Sequence, residues 1–194
     1  MGSEQKIAAI ADTEPHRHLL TVDDFLVLDG AGAFEGLGRV ELLEGEIFVM
    51  APLYFPHARV ALELTVAIGL AVRDIDQYEA ATPVSAELGD HSLPEADIVV
   101  VRKGGGDRFV TLDVAQIFVE VSVSSLQHDL GPKLRLYARH GVPEYWVADV
   151  DGRTIIRFHA PQGEEYTQRT EFAFGRPVPS ATIPGLTVDT ARLA

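Results

Sequence analysis

Apolar positions along this chain recur with two periods, one of strands and one of helices. "TVDDFLVL" begins at Thr21 and carries Asp24 three residues on, a capping box with Asp in place of Glu, which predicts a short helix. "RVELLEGEIFVMAP" splits into two strand-like runs about Glu44-Gly45, a hairpin turn signal. In "FPHARVALELTVAIGLAVRDI", Ala58, Leu62, Val66 and Leu70 recur every four residues, while Leu64, Ala67, Ile68 and Ala71 cover other sides. An almost continuous apolar circumference predicts a largely buried helix from about Pro56 to Arg73. "YEAATPVSAEL", "ADIVVVRK" and "QIFVEVSV" read as strands, the last apolar for most of its length and therefore central. "HDLGPKLRLYARHG" reads as a helix, with Leu130, Leu134, Tyr137 and Ala138 on one stripe, Pro132 in a first-turn position and Gly141 just past the end. "PEYWVADV" and "RTIIRFHA" form a second hairpin about Asp151-Gly152, followed by two more exposed strands, "EEYTQRTEFAF" and "ATIPGLTVD".

This order predicts a mixed α/β (α+β) sheet with one parallel crossover rather than a doubly wound dinucleotide fold. Gly104 to Gly106 follow a strand but do not spell GxGxxG, and there is no phosphate-binding loop signature. The length of 194 residues suits one domain. The reading is a flexible segment over residues 1–18 and a single domain over residues 19–194.

Composition narrows the chemistry. There is no cysteine, which removes disulfides, thiolate metal sites and thiol nucleophiles and fits a cytoplasmic location. No signal peptide is read at the N-terminus. No run reaches the ~18 continuous apolar residues of a membrane span, Arg59 and Glu63 interrupting the longest candidate, so no membrane partner is expected. Acidic residues outnumber basic ones 29 to 16, for a formal charge of −13. That opposes tight coating of nucleic acid, but a divalent cation among clustered carboxylates can invert the local field. No GxSxG serine site and no zinc spacing of histidines is present.

Two acids stand out against the apolar pattern. Asp97 sits at the mouth of "IVVV", and Glu120 lies between Val119 and Val121 in the middle of a core strand. By strand alternation Phe118, Glu120 and Ser122 share a face. A carboxylate there is costly to bury unless it is paired or bound to a metal. Should neighbouring strands bring Asp97 beside Glu120, the pair suits a hard cation, Mg2+ or Mn2+. Lys133, in the first turn of the next helix, adds a cation that can orient water or stabilise phosphate charge. Asp129, four residues earlier, is expected to pair with Lys133. Tyr137, one turn beyond Lys133, either helps to place it or is a core aromatic.

"VELLEGEIFVMAP…H", "LPEADIVVV", "FVEVSVSS" and "HDLGPKLRLYARHGVPEYWVAD" together resemble the Uma-two family of restriction endonucleases, within the PD-(D/E)xK nuclease-like superfamily, over about Thr21 to Asp189. The resemblance implies a restriction-endonuclease-like mixed β-sheet flanked by helices, with extra N-terminal and C-terminal β-hairpins. It implies that Asp97 and Glu120 hold Mg2+ (or Mn2+) and that Lys133 assists, because Ser122 occupies the place of the usual ExK lysine. Glu95 and Ala96 separate Pro94 from Asp97, so Glu95 is the competing ligand; the adjacent "IVVV" strand favours Asp97. The resemblance also points Glu41 toward the site and matches His57 to a family histidine, which with Asp129 and Tyr137 is expected to stand behind the ligands.

The expected function is a Mg2+-dependent endonuclease hydrolysing DNA phosphodiesters with a metal-activated water, binding DNA loosely without metal and acting as a homodimer. The alternative is a catalytically inactive nuclease-fold module that binds a protein or nucleic-acid partner.

Overall fold

The structure, a computed structural model, describes residues 17–104 and 108–194. Most of the flexible segment expected over residues 1–18, and Gly105 and Gly106 of the glycine run, lie outside the described residues. Helix α1 (Val22–Gly30) carries the capping box that the sequence predicts: the Asp24 N–H donates to the Thr21 hydroxyl and the Thr21 N–H to the Asp24 carboxylate. Strands β1 (Val40–Leu43) and β2 (Glu46–Val49) form a hairpin whose turn residues, Glu44 and Gly45, have φ of 53° and 79°. Two successive positive φ values are what a two-residue type I′ turn requires.

After α2 (Phe55–Arg73), the run expected as one strand is broken at Thr82-Pro83 into β3 (Tyr78–Ala81) and β4 (Val84–Glu87). Proline cannot donate to a ladder, and the two halves join different sheets. "ADIVVVRK" is also split, into β5 (Glu95–Ala96) and β6 (Ile98–Arg102), with Asp97 at the break. Then follow β7 (Val110–Thr111), β8 (Ala115–Ser122), a short helix α3 (Leu126–His128), one π-helical turn over Asp129–Lys133 and α4 (Leu134–Arg139). The chain continues through β9 (Glu144–Asp149), β10 (Thr154–Gln162), β11 (Glu165–Ala173), β12 (Val178–Pro179) and β13 (Thr187–Val188).

Six strands form the main sheet in the order β11-β10-β9-β8-β6-β3. All its neighbours are antiparallel except β8 and β9, which the α3–α4 crossover joins in parallel. A second, short parallel pair joins β4 to β7 beside β5. Strand β8 is buried along its whole length, and its residues alternate between two cores. Ile117, Val119 and Val121 pack under α2, with Val60, Leu64 and Ile68; Phe118 packs under α4, with Leu136 and Tyr137.

Two expectations are corrected. Helix α2 is buried on one side only: Leu62, Val66 and Leu70 are 63%, 41% and 54% exposed, because a sheet covers one stripe, here Val60, Leu64, Ile68 and Val72. By length and composition α2 is apolar enough to cross a membrane, the Arg59 and Glu63 interruptions notwithstanding, yet its buried stripe packs on the sheet. Pro132 is not in a first helical turn but inside the π turn between α3 and α4. A proline there has no N–H to give the preceding turn, and a widened turn is one way a helix absorbs that loss.

Candidate active site

Strand register brings the two outlying acids together. Ile98 of β6 stands opposite Val119 of β8, so the antiparallel pairing continued by one residue sets Asp97 opposite Glu120. Side-chain alternation puts both on the α4 side of the sheet, with Val99 and Phe118. Asp97 turns back across the break: its Oδ2 accepts from the Val121 N–H at 2.8 Å and lies 3.1 Å from His57 Nε2 at the start of α2.

Lys133 fills the space beneath Glu120. Its side chain is buried, and Nζ donates to Glu120 Oε1 at 2.9 Å, to the Glu95 carbonyl at 3.0 Å and to Glu41 Oε1 at 3.2 Å. Glu41 Oε2 is 3.1 Å from the same ammonium but accepts no hydrogen bond, its position being wrong for an N–H. The Tyr137 hydroxyl, one turn beyond Lys133, donates to Glu120 Oε1 at 2.8 Å. Asp97, Glu120, Lys133 and Glu41 thus form one buried constellation, with His57 and Tyr137 holding the two acids from behind.

Asp129 does not pair with Lys133, contrary to the sequence reading. Its Oδ2 accepts from the hydroxyls of Ser122 and Ser125, each at 2.6 Å. The i, i+4 alignment belongs to an α-helix; the π turn over these residues winds more residues per turn and rotates Lys133 away. Ser122, two residues beyond Glu120, anchors Asp129 and so ties the crossover helix to the end of β8.

The sequence reading missed Arg39. It lies just ahead of β1, two residues before Glu41, and strand parity puts the two on one side, a signal that was available. Its Nη1 donates to Glu95 Oε1 at 3.2 Å and is 3.8 Å from Asp97 Oδ1, and its Nε is 3.9 Å from Glu41. Glu95, the rival ligand, spends its carboxylate on Arg39 and borders a neighbouring groove with Phe25 and Phe34, whereas Asp97 borders the cavity that contains Glu120.

The charges are tuned unequally. Burial pushes the Glu120 carboxyl well above the usual carboxylate range, and Asp97, Asp129 and Glu41 add to the push against the pull of Lys133. Burial likewise raises Glu41, with Lys133 and Arg39 offsetting only part of it. Burial acts on Asp97 too, but there the hydrogen bond and charge of His57, the Val121 N–H and Lys133 outweigh it and hold the carboxyl low. For Lys133 burial favours loss of the proton, and Glu120, Glu41 and Asp129 more than reverse this, so the ammonium stays charged. The pair therefore joins an acid that ionises readily to one that resists ionising without a further cation.

Both acids border a cavity of about 40 Å³, lined also by Arg39, Tyr54, His57 and Lys133 among others. Among the described residues no cluster of three or more His, Asp or Glu side chains is arranged to hold a metal. Each acid nevertheless keeps one oxygen with free lone pairs: Asp97 Oδ1 and Glu120 Oε2 accept no hydrogen bond among the described residues, and neither is sealed from solvent. A hard cation that retains waters and uses one or two protein carboxylates fits such a donor set.

Comparison with known proteins agrees with this architecture. The family model of Uma2, "putative restriction endonuclease", matches residues 22–191. A crystal structure of "a putative nuclease belonging to DUF820" from Anabaena variabilis ATCC 29413 superposes with a TM-score of 0.68 at 21% identity, covering 90% of this chain and 97% of that one. At that identity the likeness establishes the fold, a mixed nuclease-type sheet with flanking helices. No curated protein matches the chain.

Proposed function

We propose that this chain, which belongs to the Uma2 family of restriction-endonuclease-like proteins, is an endonuclease that hydrolyses DNA phosphodiester bonds with a divalent cation, Mg2+ or Mn2+. The observation that carries the reading is that Asp97 and Glu120 border one cavity beside a buried lysine, each with one carboxylate oxygen, Oδ1 and Oε2, that accepts no hydrogen bond among the described residues. These two residues would hold the ion. When bound, a divalent cation lowers the pKa of a water and neutralises charge building on a phosphate.

The chain's own groups set up that chemistry. The Val121 N–H and His57 fix one oxygen of Asp97 and leave the other without a hydrogen bond among the described residues. Lys133 and Tyr137 do the same for Glu120, both bonding Oε1. Glu41 completes the counter-charge around Lys133 and keeps its ammonium beneath the pair. The chain's charge of −13 and the small cavity favour loose binding of DNA until a cation is present. A homodimer would supply a second active site for cutting the second strand. β11, the exposed edge strand beginning at Glu165, and the exposed apolar side of α2 are the surfaces available for it.

The test is a nuclease assay over Mg2+ and Mn2+ with single-stranded and duplex DNA. Wild type cleaves only with metal, and Glu120→Ala lowers the rate by about 10³-fold or more, some 4 kcal/mol of barrier. The same net charge also suits the second reading, a catalytically inactive module. That reading is the outcome if wild type cleaves nothing with either metal.

A further inference from the structure

The two cations of the site differ in what they have left to give. Lys133 has three N–H bonds and three acceptors for them, Glu120, Glu41 and the Glu95 carbonyl, all within 3.2 Å. Its side chain is buried, and any N–H it turned to a substrate would be taken from Glu41, Glu120 or the Glu95 carbonyl. Arg39 carries five N–H bonds and, among the described residues, uses one, to Glu95. Its separations from Asp97 and Glu41, 3.8 and 3.9 Å, are beyond hydrogen-bond reach. Its Nε is shut from solvent and has no acceptor among the described residues, a rare state for a buried donor. Yet the guanidinium borders the same cavity as Asp97, Glu120 and Lys133, and its side chain is 24% exposed, so an incoming ligand can reach it.

We propose that Arg39 is the phosphate-gripping residue of this site, its spare N–H groups donating to a pair of backbone phosphate oxygens of the nucleic acid, while the N–H groups of Lys133 stay on Glu41, Glu120 and the Glu95 carbonyl. The proposal rests on the nuclease reading above. A planar fork with several donors matches phosphate oxygens in a way a single ammonium does not. A phosphodiester is an anion entering a cavity already bordered by carboxylates, and it needs a cation with uncommitted donors; among the described cavity-lining residues Arg39 meets that need. The ion pair with Glu95 holds the guanidinium at the cavity wall beforehand, so little ordering remains when the phosphate arrives.

The experiment measures fluorescence anisotropy of a labelled DNA oligonucleotide with Ca2+ in place of the catalytic ion, for wild type, Arg39→Ala and Arg39→Lys. Mn2+-dependent thermal melting of each protein runs in parallel. Arg39→Ala should weaken oligonucleotide binding roughly 10- to 100-fold while the Mn2+-induced rise in Tm persists. Arg39→Lys should recover only a part, since it keeps the charge and loses the fork. If Arg39→Ala binds as wild type does, or only lowers the metal-free Tm, the proposal is overturned. Full recovery by Arg39→Lys overturns the fork. If wild type shows neither metal-dependent melting nor oligonucleotide binding, the nuclease reading itself fails and this proposal with it, which separates the two failures.

Discussion

Glu120 and Glu144 stand on adjacent parallel strands, each buried, each flanked by apolar residues, and yet they meet opposite fates. Glu144 is fully satisfied by neutral donors: Trp146 Nε1, the Ser180 hydroxyl, the Ala181 N–H, and the Thr182 N–H and hydroxyl all reach its two oxygens, at 2.7 to 3.1 Å. It is the knot that ties the segment before β13 to the end of the main sheet. Glu120, which borders a cavity, receives Lys133 and Tyr137 on one oxygen and nothing from the described residues on the other. Burial of a carboxylate alone therefore does not mark a site. The mark is a carboxylate oxygen left without a donor where a ligand can enter.

Removing the knot gives the largest expected effect on stability. Glu144→Ala leaves four donor groups without an acceptor, the Thr182 N–H keeping Ser180 Oγ, and should cost about 3 kcal/mol or more in urea denaturation, with specific activity of the folded protein unchanged. Loss of cleavage in a fully folded Glu144→Ala protein would break the comparison, because it would make Glu144 part of the site.

A smaller effect sharpens the comparison from the other side. In the metal-free protein the folded-state pKa of Glu120 lies above its ordinary 4.5. Its contribution to stability is fully present below that value and is lost as pH rises through the folded pKa. Glu120→Gln has no such titration. Its Tm relative to wild type should therefore climb as pH is raised from 4.5 toward neutrality without metal, and added Mn2+ should shrink the difference by favouring the ionised wild-type form. A Tm difference that stays flat with pH would mean that Glu120 ionises normally, and the asymmetry between the two acids would disappear.

Much of this was legible in the chain. An acid between Val119 and Val121 announced Glu120, and the placement of Asp97 at a strand mouth, carried through the β6–β8 register, set it opposite. The capping box at Thr21, the Glu44-Gly45 turn and the crossover between β8 and β9 followed from local residue chemistry. What failed depended on geometry that spacing does not carry. The Asp129–Lys133 pair assumed an α-helical turn where Gly131-Pro132 makes a wider one. The all-round apolar character of α2 suggested deep burial, but a single sheet covers one stripe and leaves Leu62, Val66 and Leu70 outside. For Arg39 the parity with Glu41 gave its side of the hairpin, but only the folded chain shows that its guanidinium reaches Glu95, which is 56 positions downstream. Glu144 passed unnoticed because the donors that satisfy it from Ser180 to Thr182 lie 36 to 38 residues further on.

The most direct test of the central claim is a crystal of the protein grown or soaked with Mn2+, measured for anomalous scattering. The account predicts one strong peak within coordination distance, about 2.2 Å, of both Asp97 Oδ1 and Glu120 Oε2, and its disappearance in Glu120→Ala crystals. A fully soaked crystal with that cavity empty, or with Mn2+ bound by Glu95 instead of Asp97, would contradict it.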